Sequence, residues 1–214
     1  MKALANVLLW IALLGGAAAG ALRATCLRLW TMTSDDALLA LSVMPTLEAG
    51  DVLVLFRAGT PGFGDLVRCT DPEVPGKFVV GRILGEQGDR ITTELAAVAV
   101  NGKTIASKRA CNPAQLVVHD PSSGESFDLT CDIEEAGGTE YTRARATRAP
   151  GMAMPYEVTV PEGHVFIASD DRHYHDDSRD FGTVPKASCP EQILFRLVSA
   201  RGWFDSARRL SLVR

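Results

Sequence analysis

The stretch FVVGRIL, at residues 78–84, is a short apolar run of the kind that forms a buried β-strand. Similar runs recur along the chain, separated by turn-forming residues, and the spacing between neighbouring turns is about eight to twelve residues. The other predicted strands lie at residues 51–56, 98–100, 116–118, 127–129, 158–160, 165–168 and 193–198. The pair Asn101-Gly102 between apolar runs predicts a hairpin. This pattern predicts a mostly β fold rather than repeated βαβ units.

The composition limits the class of protein. The chain has 214 residues, of which 46% are hydrophobic and 22% are charged, and its formal net charge is −4. Such a length supports one good core or a core with a sizeable insertion. Because the net charge is negative, nothing in the composition favours nucleic acid as a partner.

Residues 3–22 form an apolar segment without a single charged side chain. A helix of this length crosses the roughly 30 Å hydrocarbon core of a bilayer. A cleaved signal peptide is an alternative, since Ala17-Ala18-Ala19 supplies small residues of the kind that a cleavage site needs. A buried helix of a soluble protein is the third interpretation. The length of the apolar run favours an uncleaved transmembrane anchor at residues 1–25.

The segment at residues 103–156 differs from its surroundings because it is polar and ends in the proline-bounded stretch APGMAMP. We predict that it is an inserted β subdomain, and that residues 26–102 and 157–214 form the β core. A disulfide between Cys111 and Cys131 would close a loop of about twenty residues and contribute roughly 3 kcal/mol. Two unpaired thiols are the alternative. The remaining cysteines, Cys26, Cys69 and Cys189, have no evident partners.

Four stretches carry a resemblance to a known family. They are SVMPTLEAGD at 42–51, GRILGEQGDRI at 81–91, VNGK at 100–103 and VPEGHVFIASDDRHYHDDSRDFGTVP at 160–185. In this order, they resemble the bacterial type I signal peptidases, which are membrane-anchored serine proteases that remove signal peptides from secreted proteins. The resemblance covers roughly residues 41–185. It implies a β catalytic core preceded by one N-terminal transmembrane helix.

The resemblance also implies a function and a set of site residues. Ser42 stands at the position of the nucleophile, with an exposed hydroxyl and its own N–H in the oxyanion hole. Arg82, Asp177 and Arg179 match supporting residues, and the last two form a salt bridge in the family. The implied activity is cleavage of exported preproteins after small residues, without metal or cofactor. Its partners would be signal peptides and the lipid bilayer, and the catalytic domain would lie on the outer face of the cytoplasmic membrane.

The general base is where this chain departs from the family. A serine hydroxyl needs a base to accept its proton, and the family supplies a lysine immediately before the arginine that matches Arg82. Here that position is Gly81. Lys77 lies four residues earlier, about 13 Å away along a strand. His175 occupies the position of a serine that contacts the family's lysine.

We therefore hypothesise that His175 replaces the missing base. A neutral histidine is a competent general base near pH 7. Glycine at position 81 would leave space for its imidazole ring, and Asp176 or Asp177 would orient its other nitrogen.

Three alternatives remain open. The first is a catalytically inactive homologue that binds exported segments or a partner peptidase, and the second is a base from elsewhere. The third is a metal site, because His173, His175 and Asp177 alternate and would share one face of an extended chain. The family also rests apolar surface on the membrane, and the candidates for that role here are Trp30, Leu38, Leu39 and Leu41.

Overall fold

The computed structural model describes residues 26–119, 126–146 and 155–213, together with isolated positions 10, 15, 16, 20 and 124. The predicted anchor at residues 1–25 lies outside the described residues, apart from four of those isolated positions. Within the described ranges, no helix is both long enough and apolar enough to cross a bilayer.

The described residues are mostly β, which confirms that part of the predicted fold class. The strands are β1 Leu27–Thr31, β2 Val52–Phe56, β3 Leu66–Thr70, β4 Phe78–Glu86, β5 Arg90–Glu94, β6 Ala97–Val100, β7 Lys103–Thr104, β8 Ser107–His119, β9 Ser126–Ala136, β10 Thr139–Ala146, β11 Tyr156–Thr159, β12 His164–Ala168, β13 Val184–Pro185, β14 Glu191–Val198 and β15 Ser211–Leu212. The helices are α1 Ala37–Ser42, α2 Ser178–Phe181 and a 3-10 turn at Lys186–Ser188.

The largest sheet has eight antiparallel strands in the order β1-β2-β14-β3-β4-β12-β13, with β15 paired to β14. Strand β4 lies between β3 and β12 and is buried along almost its whole length. In β2, by contrast, Leu53 and Leu55 are fully buried while the alternate residues are half-buried. This alternation places one face of the sheet on the core, as the period of a strand requires.

Two smaller sheets complete the described fold. One has four strands in the order β11-β5-β6-β7, and the other has three in the order β10-β9-β8. The predicted hairpin at Asn101-Gly102 joins β6 to β7, and both turn residues have positive φ, as such turns require. The three-stranded sheet lies within the segment predicted as an insertion, whereas β7, also within it, pairs with β6 outside it. The division into core and inserted subdomain stays a prediction.

The outer face of the large sheet carries a row of apolar side chains. Leu29, Val54, Phe195 and Leu212 are directly paired neighbours across β1, β2, β14 and β15, and paired residues share one face of a sheet. Leu29 is 44% exposed and Leu212 is 58% exposed. We call Leu29, Val54, Phe195 and Leu212 the apolar outer face.

This surface differs from the one expected from sequence. Leu39 and Leu41 are buried, and Trp30 is half-buried against the core of the large sheet. Leu38 is the one residue of the expected set that α1 leaves exposed. Trp30 points inward because it pairs with the buried Leu53, whereas its neighbour Leu29 points outward.

Two disulfides link distant parts of the described chain. Cys111 and Cys131 are bonded across β8 and β9. Cys69 of β3 is bonded to Cys189, just before β14, with an S–S distance of 2.03 Å. The expectation that Cys69 and Cys189 have no partner is therefore wrong. Their separation of 120 residues hid the pair in the sequence, because the pairing of β3 with β14 brings them together.

We expect the two disulfides to stabilise the fold unequally. In the chain-entropy account, a bridge that closes 120 residues contributes about 5 kcal/mol, and one that closes 20 residues contributes about 3 kcal/mol. Replacing Cys69 and Cys189 together by alanine should lower the free energy of unfolding more than replacing Cys111 and Cys131 together. Chemical denaturation of the full chain in mild detergent measures both. An equal or reversed order would contradict this account.

Candidate active site

Ser42 is the last residue of the short helix α1, which packs against β4. Asp36 caps the start of the helix, where its side chain accepts a hydrogen bond from the Leu39 N–H. At the other end, the Ser42 carbonyl accepts a hydrogen bond from the Asp171 N–H at 2.9 Å. The peptide of the expected nucleophile is therefore fixed directly to the loop that follows β12.

The hydroxyl of Ser42 is covered rather than exposed. The residue is fully buried, and Oγ donates a hydrogen bond to the Leu39 carbonyl at 3.1 Å. Among the described residues, no base lies within hydrogen-bond distance of Oγ. The expectation of an exposed hydroxyl was wrong because residue 42 still belongs to the helix, where a serine readily bonds to a preceding carbonyl.

The chain beyond Ser42 is anchored from behind by β14. Asp51 is buried, and its Oδ2 accepts hydrogen bonds from Arg196 Nε at 2.8 Å and from the Glu48 N–H at 3.0 Å. Arg196 also donates to the Thr46 carbonyl, and the Ala200 N–H donates to Asp51 Oδ1. The segment from residue 46 to residue 51 is thus held against the core by charge-assisted hydrogen bonds.

Arg82 forms a buried ion pair with Asp170. Its Nε and Nη2 donate to the two carboxylate oxygens at 3.1 and 2.9 Å, which is the two-pronged geometry that arginine favours. Nη1 donates to the Gly64 carbonyl, and the guanidinium lies 4.0 Å from the Tyr141 ring centroid. Asp170 Oδ2 also accepts from Thr46 Oγ1 at 2.6 Å. This pair joins β4 to both the serine segment and the loop after β12.

Asp177 and Arg179 form a second ion pair beside the first. Arg179 Nε and Nη2 donate to Asp177 at 2.9 and 2.7 Å, and the Ser169 N–H donates to Asp177 Oδ2. Burial opposes ionisation of Asp177, but Arg179 and the backbone donors outweigh it and lower the pKa of Asp177 to about 2. The carboxylate also caps helix α2. The loop from 169 to 179 is closed on itself by these contacts.

His175 lies on this loop with its side chain 34% exposed. Its Nδ1 lies 2.7 Å from Asp180 Oδ2, so Asp180 orients the ring, not Asp176 or Asp177 as expected. Asp177 is engaged by Arg179, whereas Asp180 is brought back toward His175 by the first turn of α2. Within the described part of the chain, Nε2 of His175 has no hydrogen-bond partner. The ring therefore has one nitrogen held and the other available.

The structure neither leaves the expected space beside Gly81 nor favours Lys77 as a base. A Cβ on Gly81 would lie 3.2 Å from Ile167 Cβ and 3.3 Å from the Ala168 carbonyl oxygen, so β12 fills the space expected for an imidazole. The Lys77 ammonium is exposed and bonds to Asp36 Oδ2 at 2.8 Å. That hydrogen bond and the negative charge of Asp36 raise the pKa of Lys77, which is the wrong direction for a general base.

Asp171 is one of the site residues that the sequence did not single out. Its Oδ1 accepts hydrogen bonds from the His173 and Tyr174 N–H groups at 2.8 and 3.1 Å. Its Oδ2 is buried and has no hydrogen-bond partner among the described residues. Burial raises the pKa of Asp171 to about 6, against the opposing effects of the turn amides and of the positive charges of Arg179 and His175. The run of acids in the sequence gave no sign of which one would be unpaired.

The alternating metal ligands expected at His173, His175 and Asp177 do not cluster. In the described residues, the group whose ligand atoms come within 4.8 Å of one another is His175, Asp177 and Asp180. Both oxygens of Asp177 already accept hydrogen bonds from Arg179. Asp180 was not recognised from sequence, although its place three residues after the capping Asp177 marks a helix start.

We expect the crowding at Gly81 to appear as a loss of stability. Gly81→Ala should lower the free energy of unfolding by about 1–3 kcal/mol, because its Cβ would press on β12. Gly62→Ala is the matched control, since the nearest atom there lies 3.9 Å away. Chemical denaturation compares the two. Equal stability of the two variants would mean that the space beside Gly81 is open.

Comparison with known proteins places this geometry in context. The family model for signal peptidase, peptidase S26, matches residues 9–198. Signal peptidase I of Pseudomonas aeruginosa is 26% identical over 155 residues, which is 64% of this chain and 51% of that protein. The mitochondrial ATP-independent inner membrane protease subunit 1a of Arabidopsis thaliana is 27% identical over 161 residues, 73% of this chain and 65% of that protein.

This chain thus spans between half and two thirds of the length of these relatives. Among solved structures, a signal peptidase I from Enterococcus faecalis matches with a TM-score of 0.35 and 21% identity, covering 61% of this chain and 94% of that one. We draw nothing about the site from a likeness at that distance. The family model, which covers most of the sequence, is sufficient: the chain belongs to the signal peptidase family, peptidase S26.

Proposed function

We propose that this protein is a serine endopeptidase of the signal peptidase I type, which removes signal peptides from exported preproteins after small residues. The observation that carries the proposal is the hydrogen bond from the Asp171 N–H to the Ser42 carbonyl. It joins the serine segment to the loop that bears His175. The ion pairs Arg82–Asp170 and Asp177–Arg179 support the same loop.

In the proposed reaction, Ser42 Oγ attacks the scissile carbonyl carbon, and its proton passes to His175 Nε2. Asp180, bonded to Nδ1, orients the ring and stabilises the imidazolium. Collapse of the tetrahedral intermediate breaks the C–N bond, and the proton moves to the departing amine. Water then releases the signal peptide from Ser42 by the reverse sequence of proton transfers. To react, Oγ must first leave the Leu39 carbonyl.

The location is part of the proposal. We propose a single-pass anchor at residues 1–25 and a catalytic domain on the outer face of the cytoplasmic membrane. The disulfides Cys69–Cys189 and Cys111–Cys131 support an oxidising compartment. The apolar outer face supports contact with lipid, because β1 begins where the N-terminal segment ends and forms one end of that face.

One observation favours a second function. Ser42 is buried and bonded within its own helix, and no base within the described residues reaches it. The alternative is a catalytically inactive homologue that binds exported segments or a partner peptidase. Peptide binding without cleavage is what this alternative predicts.

The test is cleavage of a synthetic signal peptide with alanine before the cleavage site, by the full chain in detergent. We expect Ser42→Ala to abolish cleavage and His175→Ala to lower kcat by about 10²–10⁴-fold, the usual range for a lost general base. Ser188→Ala and His164→Ala are matched controls at partly exposed positions outside the site. A folded wild type that binds the peptide but does not cut it would reject the peptidase and support the alternative.

We also expect substitutions on the apolar outer face to affect the cleavage of membrane-embedded substrates only. Leu29→Ser and Leu212→Ser together should raise KM for a preprotein in liposomes, because less apolar surface meets the bilayer. Cleavage of a short soluble peptide should stay unchanged. Val117→Ser, at a residue of β8 that is 60% exposed, is the control. Equal effects on both substrates would indicate damage to the fold rather than to membrane contact.

A further inference from the structure

Asp171 touches both halves of the proposed site through its backbone and one carboxylate oxygen. Its N–H binds the Ser42 carbonyl at 2.9 Å. Its Oδ1 binds the N–H groups of His173 and Tyr174, which form the turn that leads into His175. One residue therefore fixes the peptide of the serine and the turn that presents the histidine.

The second carboxylate oxygen of Asp171 accepts no hydrogen bond from the described residues. Oδ2 is buried in a residue with no exposed surface, and no hydrogen bond satisfies it within the described part of the chain. A buried carboxylate oxygen without a partner reduces stability. Groups that a protein keeps against its own stability are characteristic of functional sites.

Two basic side chains influence the ionisation of the Asp171 carboxylate. Arg179 on α2 and His175 on the same loop are the positive groups that favour its ionised form. Arg179 is already held by Asp177. From the other elements packed against Asp171, α1 contributes Ser42 and β10 contributes Ala144, and neither of these carries a charge. Asp171 Oδ1 accepts hydrogen bonds from the two residues that immediately precede His175, so its carboxylate lies against the turn that carries the ring.

We propose that Asp171 is a positioning residue for the Ser42–His175 pair, and that its free carboxylate oxygen supplies negative charge that stabilises His175 once it carries the serine's proton. This inference rests on the proposed peptidase function and adds a residue to it. Asp180 holds the ring through Nδ1, while Asp171 acts on the same ring through space and fixes the turn. No proton leaves Asp171 during the reaction.

The test compares Asp171→Asn with Asp176→Asn in the full chain in detergent. The side chain of asparagine keeps an oxygen that can accept the hydrogen bonds of the turn, but it carries no charge. Asp176 is the matched control, because burial and its acidic neighbours also raise the pKa of Asp176 to about 6, yet its N–H donates to Ser169 Oγ rather than to Ser42. At pH 8 we expect Asp171→Asn to lower kcat by about ten- to a hundredfold with little change in KM. This loss is smaller than the loss expected on removing the general base itself. Asp176→Asn should cut at the wild-type rate.

Stability supplies a second readout, which separates the loss of a buried charge from damage to the fold. An acid whose pKa is raised in the folded state destabilises the fold once pH rises above the pKa of the unfolded chain, and increasingly so up to the folded pKa. The denaturation midpoint of Asp171→Asn, measured relative to that of the wild type, should therefore rise as pH increases from 5 to 8. The midpoint of Asp176→Asn should rise in the same way. Relative to the wild type, Asp171→Asn would thus be more stable at pH 8 than at pH 5, and still the slower enzyme.

The outcomes separate the two proposals. If the wild type does not cleave, the peptidase function fails and this role of Asp171 fails with it. If the wild type cleaves and Asp171→Asn keeps its kcat, only the inference on Asp171 is overturned. If Asp171→Asn loses stability and activity together at pH 8, the residue is structural, which also overturns the inference. Slower turnover with the expected gain in stability supports it.

Discussion

The buried ion pair between Arg82 and Asp170 joins the three segments on which the candidate site depends. Arg82 lies on the central strand β4, Asp170 lies on the loop after β12, and Thr46 of the serine segment bonds to the same carboxylate. Both charged side chains are almost completely shielded from water. Removing one partner of such a pair leaves an uncompensated buried charge and typically costs about 3–5 kcal/mol. The position of Ser42 relative to the loop therefore depends on Arg82.

Around this pair, the acidic residues of the loop differ in what each one does. Asp170 neutralises Arg82, Asp177 neutralises Arg179 and caps α2, and Asp180 holds the ring of His175. Asp171 is the member whose carboxylate is only half satisfied. Identical side chains thus take different roles because their surroundings differ in burial and in the donors within reach. The role of each aspartate is therefore determined by the fold of the loop and not by residue type.

Much of this could be predicted from the sequence, and the failures have physical causes. The apolar runs indicated the mostly β fold and the Asn101-Gly102 hairpin, because both signals are local. Strands β1, β3, β5 and β10 were missed, because each contains polar or charged residues that interrupt a continuous apolar run. The bond between Cys69 and Cys189 depends on strand pairing, which no local pattern reports. The same limit applies to Ser42, whose burial depends on how α1 packs.

The pairing of β10 with the site loop has a consequence for how this architecture can vary. Ala144 donates its N–H to the Asp170 carbonyl and accepts from the Arg172 N–H, forming a parallel bridge at Asp171. Strand β10, which lies in the segment predicted as an insertion, is thus hydrogen-bonded to the loop through its backbone. Exchanging it for another sequence would strip hydrogen bonds from buried backbone on either side of Asp171. A replacement for β10 must therefore preserve these backbone hydrogen bonds if the loop is to keep its position.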